Sequence, residues 1–182
     1  MDFKATFTKR RTSKRGLTLI EFIVASGIST LVLLATASLA YYSARSFAGI
    51  VNYVDLDIKS RSALDQMSKD IRQCDSLQSA STNQLVFNYG SGITLTYDYD
   101  SVGRTLTRTL NAVSKVLLTE CDYLRFAIFQ RNPVGGTYDQ YPTADASTCK
   151  LVQLNWVCSR TILGQRVNTE SVQSAKIVIR RQ

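Results

Sequence analysis

The stretch that decides the fold is Lys14-Arg15-Gly16-Leu17-Thr18-Leu19-Ile20-Glu21, followed by an apolar run that ends at Tyr42. Six basic residues and one acid precede the glycine, whereas Glu21 is the only charged residue in the run itself. A helix needs about 20 predominantly apolar residues to cross the hydrocarbon core of a membrane, and the run at residues 17–40, which is almost wholly apolar or small, is 24 residues long. Because basic flanks stay in the cytoplasm, the sequence predicts one membrane-spanning helix with the remainder of the chain exported.

Glu21 is unusual because a carboxylate inside a spanning helix costs roughly 2.5–3.5 kcal/mol on insertion scales. One interpretation is that Glu21 lies near enough to the end of the run to reach the headgroups and needs no partner. The other interpretation starts from cleavage after Gly16, which would give Leu17 a positively charged N-terminus. Glu21 of a neighbouring copy would then neutralise that amine in an apolar environment. The second interpretation predicts that Glu21 acts in assembly.

This pattern resembles the processing site of type IV prepilins and of type II secretion pseudopilins. Their signature is a basic leader ending in Gly, an apolar first mature residue, Thr and further apolar residues, and Glu at the fifth mature position. The chain departs from it only by Leu17, where Phe is commonest. The resemblance implies a leader of residues 1–16, cleavage between Gly16 and Leu17 by a membrane prepilin peptidase, and N-methylation of Leu17.

The same resemblance implies partners and a location. Residues 17–42 would be the transmembrane and assembly half of the helix, and residues 43–182 an exported domain on the outer side of the inner membrane. The partners would be other pilin or pseudopilin subunits and the assembly platform of the inner membrane. The chain would then be a minor structural subunit of a type IV pilus or a type II secretion pseudopilus.

A conventional export signal is the alternative interpretation of the N-terminus. Arg10-Arg11 resembles a twin-arginine signal, and Ala35-Thr36-Ala37 or Ser38-Leu39-Ala40 offers small residues to a signal peptidase. Cleavage there would release a soluble domain that begins near Tyr41. However, the apolar region of such signals is normally about 7–15 residues long and contains no acid. The length of the run and Glu21 therefore favour a permanent membrane anchor.

The amino-acid composition excludes several classes of function for this chain. The net charge is +8, but the leader contributes +5 of it, so the exported part is only mildly basic. A dedicated nucleic-acid-binding domain usually carries a stronger, clustered positive charge. The absence of histidine excludes Ser-His and Cys-His catalytic pairs and Cys/His zinc sites. Asp98 and Asp100 lack the graded ligands of a calcium loop. The sequence therefore predicts no catalytic residues, no cofactor and no metal, and a structural protein rather than an enzyme.

The helix is predicted to continue over residues 43–75. Apolar residues recur at Phe47, Ile50, Val54, Leu64, Met67 and Ile71 among charged residues, and they are interpreted as one stripe that docks on a sheet. Asp65 and Lys69 form a favourable acid-to-base pair four residues apart. The stretch from Asp57 to Arg61 is too polar for the alternative, a sustained coiled coil.

Strand patterns fill residues 84–182. A three-stranded meander is predicted over 85–89, 93–99 and 104–110, with turns at Gly90-Ser91-Gly92 and near Gly103. Further strands are predicted at 116–118, 123–130, 151–159 and 175–180, with loops at 131–148 and 161–173. The predicted fold class is α+β: a pilin-like ladle with a long N-terminal helix, membrane-spanning in its first half, packed on a mostly antiparallel sheet. Residues 61–73 and 97–108 resemble those of W-type minor pilins and J-type pseudopilins.

Four cysteines in an exported domain indicate disulfides. Cys149 and Cys158 are nine residues apart along a predicted strand, about 30 Å in an extended chain, and they cannot pair unless the prediction of that strand is wrong. If 123–130 and 151–159 form an antiparallel hairpin, one register places Gln130 near Cys149 and Cys121 near Cys158. Cys121–Cys158 is therefore the preferred bridge. Cys74 and Cys149 are left either paired or free.

Aromatic and basic side chains on the predicted meander suggest a second function. Aromatic rings stack on bases, and cations attract phosphate. The residues concerned are Tyr89, Tyr97, Tyr99, Arg104 and Arg108. On this hypothesis the protein is a DNA-binding pilus component for DNA uptake. The competing explanation is that tyrosine is simply a favourable strand residue, and this explanation is preferred, so nucleic acid is not the expected partner.

Overall fold

A computed structural model describes residues 16, 18–131, 140–143, 145–161, 164 and 170–180. The predicted leader up to Arg15, with its Arg10-Arg11 pair, and Leu17 lie outside these residues. The chain divides into two compact units, Met1–Ala44 and Arg45–Gln182. The first unit contributes the start of a helix, and the second contains the rest of that helix and all the strands.

Helix α1 spans Leu19–Gln73. Every described residue of the first unit is exposed. In the second unit, α1 buries one face, at Leu56, Ser60, Ala63, Met67, Asp70 and Ile71. These positions recur every three or four residues and so lie on one side of the helix. The predicted stripe is therefore wrong in part: Met67 and Ile71 face the core, but Phe47, Ile50 and Val54 are exposed.

The strands form two antiparallel sheets. The first has the order β1-β2-β3-β4-β5 and the second the order β7-β6-β8-β9. Their bounds are β1 Ser76–Ala80, β2 Gln84–Asn88, β3 Thr94–Asp100, β4 Thr105–Leu110, β5 Val113–Leu118, β6 Cys121–Arg131, β7 Gln140–Pro142, β8 Cys149–Ser159 and β9 Glu170–Val178. A 3-10 helix at Ala146–Thr148 precedes β8. The predicted fold class, a long helix packed on antiparallel β-structure, is confirmed.

Alternation along the strands builds the core. Leu85 and Phe87 on β2, and Leu95 and Tyr97 on β3, are fully buried, whereas their neighbours along each strand are not. On β8, Val152, Leu154, Trp156 and Cys158 lie on the buried side, as predicted. The turn between β2 and β3 places Gly90 at φ 86° and Gly92 at φ 78°, a conformation that glycine adopts without steric cost. The predicted meander is thus confirmed as β2, β3 and β4.

Several details differ from the predicted layout. The predicted loop at 131–148 contains strand β7 and the 3-10 helix. The segment from Ser76 to Ala80, predicted as the loop after the helix, is strand β1 paired with β2. The single predicted sheet is divided into two. The last strand begins at Glu170, within the predicted loop. The predicted sheet boundary at residue 84 is therefore too late by one strand, and the helix ends at Gln73 rather than at residue 75.

A buried polar network ties the end of α1 to the first sheet. The carboxylate of Asp70 accepts hydrogen bonds from the Tyr97 hydroxyl at 2.6 Å, from Arg108 Nε at 2.6 Å and from Gln66 Nε2 at 3.0 Å. Burial opposes ionisation of Asp70, but these hydrogen bonds outweigh it and lower the pKa of the carboxyl. The stretches at residues 61–73 and 97–108 therefore meet in this network.

A second polar cluster ties α1 to the second sheet. The guanidinium of Arg160, just after β8, lies 2.6 Å from Glu120 Oε2 and 3.0 Å from Asp55 Oδ2, and it also donates to Asn52 Oδ1. The Glu120 hydrogen bond raises the pKa of Arg160. The two networks hold α1 against both sheets and so fix which of its faces remains exposed.

Candidate functional site

The predicted processing site precedes α1. Gly16 is exposed and lies three residues before the first helical residue, Leu19. A Cβ atom built on Gly16 meets no atom within 4 Å. The residue on the other side of the predicted scissile bond, Leu17, lies outside the described residues. Gly16, the residue before this bond, therefore lies in an exposed, non-helical part of the chain.

Glu21 has a partner within its own chain. Its Oε2 accepts from the Thr18 backbone N at 2.8 Å and from Thr18 Oγ1 at 2.9 Å, while the Glu21 backbone N approaches Thr18 Oγ1 at 3.4 Å. This is a capping box, in which an N-cap hydroxyl and a glutamate three residues on satisfy each other's backbone amides. The sequence analysis did not predict this capping box, although a threonine followed three residues later by a glutamate is its sequence signature.

The apolar part of α1 exposes its side chains in all directions. Leu19, Phe22, Leu31, Leu34 and Leu39 are between 64% and 80% exposed. The most apolar part of the helix contains no buried residue. Among the described residues, α1 is the one helix long and apolar enough to span a membrane. Both alternative peptidase sites, Ala35-Thr36-Ala37 and Ser38-Leu39-Ala40, lie inside this unbroken helix.

An apolar stripe continues on α1 within the second unit. It consists of Phe47, Val51, Val54 and Ile58, which are 65%, 65%, 46% and 60% exposed. At 100° per residue, these positions share one side of the helix, about 180° from Leu56 and Met67 in the core. Beyond Ile58 the same side carries Arg61 and Asp65 instead. The stripe is therefore an unpartnered apolar surface of limited length on the face opposite the sheets.

The meander residues considered for DNA binding make contacts within the fold. Tyr97 and Tyr99 are buried, and their hydroxyls donate to Asp70 and to the Cys121 carbonyl. Arg108 is paired with Asp70, and Arg104 lies 2.6 Å from Asp122. Tyr89 donates to Gln73. Buried rings cannot stack on bases, so Tyr97 and Tyr99 act as strand residues of the core.

The two predicted cysteine pairings across β6 and β8 are confirmed, although a register shift beside each displaces the residues between them by one position. Cys121 pairs with Cys158 and Gln130 with Cys149 across β6 and β8. The Ser159 amide donates to the Glu120 carbonyl at 3.0 Å, and the Cys121 amide donates to Arg104 O. Cys121 and Cys158 are thus a non-hydrogen-bonded pair, in which opposing side chains are closest. All four cysteines are present as thiols, and the hydrogen bond to Cys158, together with burial, raises the pKa of Cys121.

Cys74 and Cys149 have separate surroundings. Burial, with the nearby carboxylates of Asp70 and Asp75, raises the pKa of Cys74 to about 12. Burial also raises the pKa of Cys149, which lies at the opposite end of β8 from Cys158. Because the thiolate is the reactive form, both thiols are expected to be inert while the domain is folded.

Oxidation is expected to link Cys121 and Cys158. Their opposed positions place the two Cα atoms within the 4.4–6.8 Å that a disulfide spans. Closing the loop between them would stabilise the domain by roughly 3–4 kcal/mol in the chain-entropy model. Proteolysis of the exported chain without reductant, followed by mass spectrometry, should give one linked peptide pair that contains both residues. Linked peptides containing Cys149 and Cys158 would contradict the register of β8.

Comparison with known proteins adds no relative. No protein-family model, no curated protein and no solved structure matches the chain. The functional argument therefore depends on the N-terminal motif, the exposed helix surface and the packing of the second unit.

Proposed function

We propose that the chain is a membrane-anchored structural subunit of a type IV pilus or a type II secretion pseudopilus. The observation that carries the proposal is the N-terminal sequence: a basic leader ending in Gly16, then Leu17, Thr18 and Glu21 at the head of a long apolar helix. The exposed, non-helical placement of Gly16 supports it. So does the α+β layout, in which the later part of the same helix packs on antiparallel sheets.

On this proposal the precursor waits in the inner membrane, with its leader in the cytoplasm and residues 43–182 outside. A prepilin peptidase cuts between Gly16 and Leu17, and the new N-terminus is methylated. The subunit then leaves the bilayer for the growing filament with the help of an assembly platform. The chemistry is carried out by the processing enzymes, and the role of this chain is packing.

The exposed stripe on α1 is a second surface for packing between subunits, in addition to the membrane-spanning part of the helix. An apolar helix face left in water is an interaction site, because burying it removes that area from solvent. Phe47, Val51, Val54 and Ile58 have the spacing with which one helix packs along another. Neighbouring subunits are therefore proposed to pack along α1 as far as Ile58, where Arg61 and Asp65 end the apolar surface.

The processing step gives the direct test of the proposal. Intact-mass analysis of the membrane fraction should show a chain that begins at Leu17 and carries one methyl group. Gly16→Val should leave the precursor uncut, because a side chain next to the bond obstructs the peptidase. Since a Cβ at Gly16 has open space, this change tests recognition rather than folding.

Gly27→Val is the matched control for that experiment. Gly27 lies in α1, and a Cβ there also meets nothing within 4 Å, so the control adds the same side chain without altering the cleavage site. It should be cut like the wild-type chain. A mature N-terminus near Tyr41 would overturn the proposal and would establish the conventional signal peptide in its place.

A further inference from the structure

The edge strands of the two sheets differ in how well they resist pairing. β1 is interrupted by a register shift between Leu77 and Ser79, β7 has three residues and β5 has six. β9 has nine residues and pairs with β8 along its whole length without a bulge. Within the described residues, no strand lies on its other side. Long, regular edges without proline or bulges are templates for another strand.

The backbone groups on the free edge of β9 can be identified. The Ile179 amide donates to the Lys150 carbonyl at 3.0 Å, so odd-numbered residues of this strand face β8. Successive residues of a strand direct their backbone groups to opposite sides. The N–H and C=O groups of Val172, Ser174 and Lys176 therefore point to the free edge, and the side chains of these residues are exposed as well.

The outer face of the second sheet has an apolar row near each end of β9. One row consists of Tyr123, Val157 and Val172, which are paired across β6, β8 and β9. The other consists of Phe129, Leu151 and Val178. The two rows between them are mostly polar: Arg125, Asn155 and Ser174 form one, and Ala127, Gln153 and Lys176 form the other. Along its exposed face, β9 therefore carries one apolar residue, then two polar residues, then another apolar residue.

We propose that β9 pairs antiparallel with β9 of a second copy of this chain, with Val172 opposite Val178 and Ser174 opposite Lys176. This register places Val172 of each copy beside Val178 of the other. It extends each three-residue apolar row into a six-residue row across both sheets and keeps polar residues opposite polar ones. Apolar cross-strand pairs stabilise a sheet, and a two-fold interface requires such a self-complementary surface. The surface is separate from α1 and does not depend on the proposed filament function.

The register is tested by cross-linking in membranes that contain the full-length chain. Chains carrying Val172→Cys and chains carrying Val178→Cys are produced separately and together, then oxidised. Directly opposed residues are within disulfide reach, so the mixture should give a covalent dimer. Each variant alone should not, because identical positions would be six residues, about 20 Å, apart. The native cysteines are buried, and the wild-type chain is the background control.

Ser174→Pro tests whether the edge backbone makes the contact. Its N–H faces away from β8, so proline there should leave the β8–β9 ladder intact while removing an edge donor from both copies. Ser174→Ala is the matched control, since it removes only the hydroxyl that lies 2.6 Å from Asn155 Oδ1. The cross-linked fraction should fall about tenfold or more with proline and little with alanine, at an unchanged unfolding temperature.

Three results would overturn the proposal. One is dimer formation by either cysteine variant alone at the level of the mixture, which would mean a different register. Another is cross-linking that proline leaves unchanged, which would mean that the edge backbone is not involved. The third is an uncross-linked mixture whose introduced cysteines react freely with a maleimide, which would mean that the edge has another occupant or none. Normal processing at Gly16 in the same samples would show that such a failure concerns β9 and not the filament proposal.

Discussion

If the chain is the proposed filament subunit, Glu21→Val is expected to be inserted and cleaved like the wild-type chain but to lose co-purification with partner subunits. Removing the charge eliminates a burial cost of a few kcal/mol in the membrane, so insertion should not suffer. In an assembly, the same change would leave the Leu17 amine of a neighbour without its counter-charge in an apolar bundle, which is strongly unfavourable. The measurement is a pull-down of partner subunits from detergent extracts, with the ratio of cleaved to uncleaved chain determined in parallel.

The capping box offers a competing explanation of Glu21, and Glu21→Gln separates the two. Glutamine serves in a capping box as glutamate does, so it can still accept from Thr18 while carrying no charge. If Glu21 only begins the helix, the glutamine variant should assemble normally. If it neutralises an amine, glutamine should be nearly as defective as valine. Normal co-assembly of the cleaved glutamine variant would show that the charge of Glu21 is not used.

The pairing of β6 with β8 could be predicted from the sequence, but the register along the whole pair could not. Alternation fixes which residues of each strand share a face, and a one-residue slip would reverse every side chain. Counting back from a Cys121–Cys158 pair places Gln130 opposite Cys149, as the structure shows, but register shifts at both ends displace the residues between them by one position, so that Leu124 lies opposite Trp156. Alternation therefore indicates the register of the central residues and the cysteine positions that of the two ends, while no pattern in the sequence indicates the register shifts between them.

The missed features all depend on the environment rather than on local pattern. Strand β1 contains three polar residues and no β-branched or aromatic one, yet Leu77 is buried beside β2. Packing decides strand formation there, as it often overrides propensity. Similarly, apolar spacing shows that α1 has apolar faces but not which face meets the sheets. Leu56 and Ala63 face the core, and Phe47 and Val54 do not.

The charged residue that the sequence did not single out is the one expected to matter most for stability. Asp70 looks like any acid on a polar helix, since its partners Tyr97 and Arg108 are 27 and 38 residues away. In the fold its side chain is 3% exposed, and that of Arg108 is 15% exposed. No pattern within the helix indicates these contacts.

Asp70→Ala is expected to lower the free energy of unfolding of the second unit by roughly 3–5 kcal/mol. The change leaves the Arg108 guanidinium and the Tyr97 hydroxyl buried without their acceptor, and most of the loss comes from these orphaned groups. Unfolding of the detergent-solubilised chain can be followed by the fluorescence of Trp156, its single and fully buried tryptophan. Asp65→Ala, on the exposed face of the same helix, should cost less than about 0.5 kcal/mol.

The double variant Asp70→Ala with Arg108→Ala distinguishes an orphaned charge from a lost contact. If the buried guanidinium is the main penalty, removing it as well should recover part of the stability, so the two changes should not add. The pH dependence gives an independent check. Because the pKa of Asp70 is lowered in the fold, its contribution is complete above the ordinary aspartate pKa of about 3.9. It is lost as the pH falls through the lowered value. The stability gap between the wild-type chain and Asp70→Asn should therefore be constant near neutrality and narrow in acid, and a gap that persists unchanged at low pH would mean that the carboxylate charge does not hold α1 to the sheet.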